Sequence, residues 1–185
     1  MDALRNDPAI AELIEKHGEL ELERSENPFE RLVVSIVNQQ LSTQSAAAIR
    51  ERLFESFEIE PEVLLDADEE KLNDIGLSRQ KIDYIKSAAR HFLDDKLDME
   101  KFESMSDEEI IEELTDIHGV GVWTAKMFMM FVLAREDVFP VEDLGIRKAM
   151  EKQFGIDSKK DMVEKAKEWQ PYRSIASLYL WKLVD

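Results

Sequence analysis

LTDIHGVGVWTAKMFMMF, residues 114–131, places Gly119 and Gly121 one residue apart between two segments whose apolar residues recur at helical spacing. Glycine adopts backbone conformations that other residues avoid, and it leaves neighbouring amides uncovered by a side chain. The pattern predicts a helix, a tight hairpin at residues 118–121 and a second helix. The amides of such a hairpin, with those that open the second helix, form an anion site that needs no basic side chain. An ordinary turn between helices is the alternative that the two glycines leave open.

The surrounding chain of 185 residues is acidic, with 41 Asp and Glu against 24 Lys and Arg and a formal charge of -17. Binding to phosphates normally calls for an excess of basic residues, so the total charge argues against a nucleic-acid partner. The charge is unevenly distributed, however. Residues 51–74 hold ten acids against two bases, whereas residues 144–167 hold seven bases against four acids. The acidic segment is typical of a solvated helix face, and the basic segment keeps a nucleic-acid partner open.

Several classes of site are excluded by composition. The chain has no cysteine, which rules out disulfides, a thiol nucleophile, zinc–thiolate sites and a cysteine-ligated iron–sulfur cluster. Its three histidines are scattered and do not form a metal-binding spacing. No segment is apolar enough to cross a membrane, and the N-terminus lacks the pattern of a secretory signal. We therefore expect a cytoplasmic protein without a membrane partner.

The sequence predicts an all-α fold, because helical periodicity recurs throughout and no segment alternates like a strand. We expect nine or ten helices in two lobes. Residues 28–141, with the hairpin at 118–121, form the central lobe, and residues 1–27 plus 142–185 form the second, with a ligand cleft at their junction. Capping residues place the helix starts: Ser42 or Thr43, Ser78, Ser106 with Glu109 as a capping box, and positions near Asp143, Ser158 and Pro171.

The hairpin segment resembles the helix-hairpin-helix DNA-binding motif, since Leu114 and Ile117 precede the turn and Thr124 and Ala125 follow it at the expected places. The resemblance implies that the hairpin amides grip backbone phosphates. Members of this family often bind a monovalent cation, Na⁺ or K⁺, through backbone carbonyls. In this sequence those carbonyls would belong to Thr115, Ile117 and Val120.

A second stretch, VFPVEDLGIRKAM at residues 138–150, follows the hairpin closely. In helix-hairpin-helix DNA glycosylases, a Gly/Pro-rich loop that ends in a catalytic aspartate follows the hairpin at about this distance. Asp143 fills that place, although PVED stands where many members have Gly-Pro-Asp. An aspartate before a helix is also a common N-cap. Both roles are compatible, because a helix N-terminus stabilises an ionised carboxylate.

Three further stretches resemble the same family in the same order: IVNQQLS at 36–42, GLSRQKIDYIKSAA at 76–89 and WQPYRSIASLYLWK at 169–182. The last is similar to the closing segment of the DNA-3-methyladenine glycosylase II branch, and the chain is identified as a member of that branch. The resemblance implies an enzyme that flips alkylated purines out of duplex DNA and hydrolyses their N-glycosidic bond. It also implies a monomer, associated with the nucleoid, that requires no cofactor.

The resemblance assigns roles to individual residues. Asp143 would be catalytic, Gln40 would fill the gap left by the flipped nucleotide, and a base pocket and further DNA contacts would surround them. The base-pocket residues are Trp123, Met127 and Trp181; the other DNA contacts are Gly119, Gly121, Thr124, Lys126 and Arg147, with Lys148 and Arg173 as weaker candidates. Core packing is the plainer interpretation of a tryptophan in a helical protein, and surface charge that of a lysine or arginine.

Strand-cutting relatives carry a Schiff-base lysine early in the helix after the hairpin, where this chain has Trp123. The difference predicts a monofunctional enzyme without lyase activity. Three alternatives stay open at this point: a noncatalytic helix-hairpin-helix DNA-binding module, a glycosylase for another damaged base such as an oxidised purine, and an acidic helical protein-interaction domain.

Overall fold

The computed structural model describes residues 2–94, 97 and 99–184. Within these residues the chain forms helices and no strand, which confirms the all-α fold class. The helices are α1 (Asp2–Arg5), α2 (Pro8–His17), α3 (Pro28–Asn38), α4 (Thr43–Ser56), α5 (Pro61–Asp66), α6 (Glu69–Asp74), α7 (Arg79–Leu93), α8 (Met99–Ser104), α9 (Asp107–Thr115), α10 (Val122–Phe131), α11 (Leu144–Phe154), α12 (Lys159–Ala166) and α13 (Arg173–Trp181), with a 3-10 turn at Lys167–Trp169. None of them is long and apolar enough to cross a membrane.

Capping hydrogen bonds confirm the predicted helix starts except the one near Pro171, where α13 begins at Arg173 without a side-chain cap. The side chains of Ser42, Ser78 and Ser158 each accept a bond from the backbone amide three residues later. Ser106 and Glu109 form the predicted capping box, in which hydroxyl and carboxylate each accept from the other residue's amide. Such caps satisfy amides that have no partner inside the helix, so the local sequence fixes where these helices begin.

The prediction of nine or ten helices is wrong, because the described residues contain thirteen α-helices. The difference comes from short elements: α5 and α8 have six residues each, and α1 has four. Fewer than two turns of helix do not repeat the apolar period, so periodicity does not separate these elements from their neighbours.

The chain divides into two compact units. The central unit is Ser25–Phe128, and the terminal unit combines Met1–Arg24 with Met129–Asp185. The division falls inside α10, whereas the sequence-based lobes were drawn with a boundary at residue 141. Residues 129–141 belong to the terminal unit because Phe139 and Val141 are buried in its apolar core.

The core of the central unit lies between α3 and α7. Leu32 and Ile36 of α3 and Ile85 of α7 are fully buried, and the rings of Phe29 and Phe92 meet edge to face with centroids 5.2 Å apart. This packing fixes the C-terminal end of α3 and the first turns of α7, which support the hairpin described below.

The core of the terminal unit surrounds Trp169 and Tyr179, both fully buried. The hydroxyl of Tyr179 donates to the carbonyl of Gly18 and accepts from the amide of Leu20, at 2.9 Å each. Helix α13, which carries Tyr179, is thereby tied to the segment that follows α2.

A buried carboxylate joins the first helices of the terminal unit to its core. Asp7 is 5% exposed and caps α2 by accepting from the amides of Ala9 and Ile10. It also accepts from the indole N–H of Trp169 and from the Lys165 ammonium, at 2.9 Å each. Truncating Asp7 therefore removes a helix cap and leaves the buried indole N–H of Trp169 without its partner, whereas the half-buried Lys165 keeps its bond to Glu168.

Asp7→Ala is expected to lower the free energy of unfolding by about 3 kcal/mol, measured by denaturant unfolding at neutral pH. The matched control is Asp68→Ala, because Asp68 caps α6 in the same way but is exposed and has no indole partner. An equal loss in both variants would mean that the cap alone accounts for the effect of Asp7.

The contribution of Asp7 to the free energy of unfolding is also expected to depend on pH. Burial by itself raises the pKa of Asp7, but hydrogen bonds from Trp169 and Lys165 outweigh this effect and the pKa lies below its ordinary value. A carboxyl of lowered pKa stabilises the fold above its unfolded pKa of about 3.9, and this contribution is lost as the pH falls through the folded pKa. The difference in stability between wild type and Asp7→Ala should therefore narrow below about pH 4.

Candidate active site

Asp143 is the N-cap of α11, as the sequence predicted. Its Oδ1 atom accepts a hydrogen bond from the amide of Ile146 at 2.9 Å, and the side chain is half-buried. The backbone amide of Asp143 donates to the carbonyl of Pro140 at 2.9 Å, which closes the turn ahead of the helix. A carboxylate in this position is stabilised in its ionised form by the partial positive charge of the helix N-terminus.

Trp181, the last residue of α13, lies against this carboxylate. Its indole N–H donates to Asp143 Oδ1 at 2.9 Å, so one oxygen receives bonds from both Ile146 and Trp181. The indole ring is stacked near the ring of Phe131, with centroids 6.2 Å apart and an interplanar angle of 26°. The structure thus brings together two of the predicted site residues. Besides the base-pocket role that the resemblance implies for Trp181, this residue has a hydrogen bond to Asp143.

Gly145 and Phe131 complete this cluster, and sequence analysis missed both. A Cβ atom at residue 145 would lie 3.0 Å from Asp143 Oδ1 and 3.1 Å from Trp181 Cδ1. These distances are tighter than ordinary contacts, so a side chain at 145 would push against the hydrogen-bonded pair. The glycine in DLG was a visible signal for Gly145, whereas Phe131 looked like one more apolar residue of the helix after the hairpin.

The predicted hairpin lies between α9 and α10. Gly119 has φ of +91°, and a Cβ atom there would lie 2.0 Å from Cγ of Tyr84. Glycine is therefore required at 119 by backbone conformation and by the close approach of Tyr84, which sequence analysis did not single out. The same tyrosine ring meets the His118 ring edge to face at 5.0 Å.

The sequence predicts for Gly121, as for Gly119, a backbone conformation that other residues avoid. For Gly121 this prediction is wrong. Its φ lies outside the left-handed region, and a Cβ atom would meet nothing within 4 Å. Neither backbone strain nor packing within the chain requires glycine at this position. The amide of Ala125 donates to the carbonyl of Gly121 at 2.9 Å, so residues 122–124 form the first turn of α10, ahead of that bond.

The side chain of Thr124 is buried, so the predicted DNA contact of Thr124 could come only from its backbone. Thr124 is 1% exposed, and its hydroxyl accepts a hydrogen bond at 3.0 Å from Nε2 of Gln39. Gln39 also donates from Nε2 to the carbonyl of Gly119 at 3.0 Å. Gln39 is a functional candidate that sequence analysis missed, because its partners lie 80 and 85 positions away in the chain.

Gln40 is exposed and follows the C-terminal end of α3 with φ of +56°, a left-handed conformation that is uncommon outside glycine. Lys81 donates to the carbonyls of Val37 and Gln39, at 2.6 and 2.8 Å. These contacts fix the chain on the N-terminal side of Gln40, the predicted plug.

The remaining candidates are distributed over both units. Trp123 and Lys126 are half-buried on α10, and Met127 on the same helix is 5% exposed. Arg147 lies on α11 one turn after Asp143, half-buried, and its Nε has no hydrogen-bond partner among the residues described.

Arg173 binds within the terminal unit, since its Nε donates to Asp137 Oδ1 at 2.7 Å. Its guanidinium is engaged there, so the weak prediction of a phosphate contact loses support.

Of the predicted cation ligands, Thr115 is the last residue of α9, Ile117 lies between α9 and Gly119, and Val120 follows Gly119. The carbonyl of Ile117 accepts from the amide of Val120 at 3.0 Å. A carbonyl oxygen has two lone pairs, so this bond leaves it able to serve as a cation ligand. Across residues 2–94, 97 and 99–184, no cluster of His, Asp and Glu side chains forms a metal site. Neutral carbonyl oxygens suit Na⁺ or K⁺, and the cation stays a prediction.

The all-α fold, the glycine hairpin and the capping aspartate together define a class of protein. The family described as HhH-GPD superfamily base excision DNA repair protein matches residues 33–171, and the chain belongs to this superfamily. Within the superfamily it falls in the DNA-3-methyladenine glycosylase branch.

The relatives of this branch match over most of the chain. DNA-3-methyladenine glycosylase 1 of Schizosaccharomyces pombe is 36% identical over 164 residues, which cover 84% of this chain and 72% of the relative. The structure of a DNA-3-methyladenine glycosidase from Bacillus halodurans has a TM-score of 0.79 at 40% identity, covering 97% of this chain and 86% of that chain. A Schizosaccharomyces pombe 3-methyladenine DNA glycosylase, solved in complex with abasic DNA, has a TM-score of 0.88 at 32% identity, covering 98% and 94%. The first curated relatives are matched over 66% to 78% of their own length.

Proposed function

We propose that the protein is a DNA N-glycosylase of base excision repair that hydrolyses the N-glycosidic bond of alkylated purines, such as 3-methyladenine, in duplex DNA. Membership of the superfamily and similarity to 3-methyladenine glycosylases support this activity. The observation that carries the proposal is the carboxylate of Asp143, whose Oδ1 is held by the α11 amide of Ile146 and by the indole of Trp181.

Asp143 would act on the sugar rather than on the base. A purine alkylated at a ring nitrogen carries positive charge, so it leaves as a neutral base when it takes the electron pair of its bond to C1′. Water adds to C1′ and gives up a proton, and the nearby carboxylate stabilises the cationic sugar and orients or deprotonates that water. No covalent intermediate with the protein is required.

The flipped base would be held by aromatic side chains. Stacking and cation–π attraction favour a flat, cationic base over neutral purines. Trp181 is the primary aromatic candidate because it lies directly beside Asp143. Trp123 is the second aromatic candidate, and Met127 is a non-aromatic, apolar one. Flipping leaves a gap in the duplex, which Gln40, exposed at the end of α3, would fill.

The hairpin would bind phosphates through backbone amides near Gly119 and Gly121, with Lys126 and Arg147 as flanking contacts. Backbone amides and a helix N-terminus attract anions without a surplus of basic side chains, which is how a chain of charge -17 could bind DNA. A Na⁺ or K⁺ ion on the carbonyls of Thr115, Ile117 and Val120 would add positive charge at the same hairpin. No cofactor is needed for hydrolysis.

Chromatography of free bases released from methylated duplex DNA tests the proposal. Release of 3-methyladenine with intact strands is expected, because Trp123 stands where strand-cutting relatives have lysine. Covalent trapping with borohydride, or release of oxidised purines only, would favour a bifunctional glycosylase of another specificity. Salt-sensitive duplex binding without base release would indicate a noncatalytic module, and the absence of binding would indicate a protein-interaction domain.

Trp181→Phe separates the two roles of Trp181, because phenylalanine keeps an aromatic wall and removes the N–H donor to Asp143. A hydrogen bond to a charged group contributes about 1.5–3 kcal/mol, so single-turnover base release at saturating enzyme is expected to fall by about tenfold or more. The dissociation constant for damaged duplex should change much less.

The control for this substitution is Phe131→Leu, which removes the ring stacked on Trp181 and keeps the bond to Asp143. A Trp181→Phe enzyme that releases base at the wild-type rate would show that the N–H bond is unimportant and that the ring alone matters.

A further inference from the structure

The turn that carries Gln40 is bonded directly to the hairpin within the central unit. Gln39 donates from Nε2 to the carbonyl of Gly119 and to the hydroxyl of Thr124, at 3.0 Å each. Thr124 is 1% exposed, so the bond to its hydroxyl is made away from solvent. One side-chain amide therefore joins the residue before the plug to the first glycine of the hairpin and to the first turn of α10.

Helix α7 supports both ends of this connection. Near its start, Lys81 donates to the carbonyls of Val37 and Gln39 at the C-terminal end of α3, where a cation is favourable. One turn later, the ring of Tyr84 lies against Gly119, where it leaves no space for a Cβ atom. The turn at residues 37–40 and the hairpin are thus held against the same two turns of α7.

Gln40 itself is not in a relaxed conformation. Its φ of +56° places it in the left-handed region, which costs a non-glycine residue about 1 kcal/mol or more. Such a conformation persists where its surroundings impose it. The bonds made by Gln39 and Lys81 restrain the backbone immediately before Gln40, and with it the point from which the exposed Gln40 side chain extends.

We infer that Gln39 is a positioning residue for base extrusion: its amide fixes the plug Gln40 relative to the phosphate-binding hairpin, so that gripping the strand places the plug at the damaged nucleotide. The inference rests on the proposed function and deepens it, because it names a residue outside the pocket that controls the flipping step. Gln39 acts through Gln40 and the hairpin and does not touch the reacting atoms.

A double-mutant cycle tests the inference in the full-length chain. Gln39→Met removes the donors at similar volume, Gln40→Ala removes the plug, and the third variant combines them. The readouts are fluorescence of a 2-aminopurine beside the lesion, which reports extrusion, and single-turnover base release. If Gln39 acts through Gln40, each single change slows extrusion by about five- to tenfold and the double variant is no slower than Gln40→Ala.

Two additional variants distinguish a loss of positioning from a general loss of stability. Thr124→Val removes the hydroxyl that accepts the bond from Gln39. Like Gln39→Met, it should slow extrusion as a single change and should slow it no further when combined with Gln40→Ala. Gln153→Met makes the same substitution near the C-terminal end of α11, in the terminal unit, and it should leave extrusion unchanged. Thermal unfolding of all variants identifies any that do not fold.

The outcomes separate the inference from the proposed function. Wild-type protein that neither extrudes nor releases a base overturns the proposed function and this inference with it. If the wild type is active, multiplicative effects in the double variant, or extrusion by Gln39→Met and Thr124→Val at the wild-type rate, overturn the inference alone.

Discussion

Asp143→Asn is expected to reduce single-turnover base release from methylated duplex by about a thousandfold. Asparagine has nearly the same shape, and its carbonyl oxygen can still accept from the amide of Ile146 and the indole of Trp181. What it lacks is the negative charge that stabilises a cationic sugar and the basicity that helps water to attack. The fold and the helix cap should therefore survive while the chemistry is lost.

Duplex binding and the thermal midpoint serve as controls, and both should stay close to wild type. Asp68→Asn is the matched substitution, because Asp68 also caps a helix with its carboxylate, at the start of α6, and has no place in the proposed site. It should release base at the wild-type rate. Equal release by Asp143→Asn and wild type would remove Asp143 from the mechanism.

Gly119→Ala is expected to produce the second large effect, on stability and on DNA affinity together. The φ of +91° is unfavourable for alanine, and the added Cβ would lie 2.0 Å from Cγ of Tyr84. Left-handed strain of about 1–2 kcal/mol and overpacking of about 1–3 kcal/mol add to a loss of roughly 3 kcal/mol in the free energy of unfolding. The hairpin must shift to accommodate the methyl group, so affinity for duplex should fall by at least about tenfold.

Gly121→Ala is the matched comparison, since the same methyl group there meets nothing within 4 Å and needs no unusual φ. Its stability should stay near that of wild type. If phosphates approach the hairpin amides, the methyl group lowers DNA affinity without destabilising the fold. A Gly119→Ala protein as stable as Gly121→Ala would contradict the account of the Tyr84 contact.

The parts of the fold that could be predicted from sequence are those that depend on near neighbours. Ser78, Ser106 and Asp143 cap helices through amides three residues away, so the order of residue types is enough to place them. The short helices α5 and α8 could not be separated, because six residues do not repeat the apolar period.

The candidate site also has residues that could be predicted from sequence and contacts that could not. Asp143 and Trp181 could be predicted because the order and spacing of their segments resemble those of a known family. The bond between Trp181 and Asp143 spans 38 positions, and that between Gln39 and Thr124 spans 85. Such partners depend on the tertiary arrangement of the helices, which a single sequence does not specify. The burial of Thr124 and its bond to Gln39 depend on the same tertiary arrangement.

The shared oxygen of Asp143 has a consequence for engineering the substrate range. Trimming Trp181 to admit a larger base into the proposed pocket would also remove the indole N–H that donates to Asp143. Under the proposed function, breadth of substrate and catalytic power are therefore coupled through one residue. Directed evolution toward bulkier lesions should select substitutions at Phe131 or Met127 before substitutions at Trp181. Variants that lose the indole should gain a broader substrate range only with a lower rate of base release.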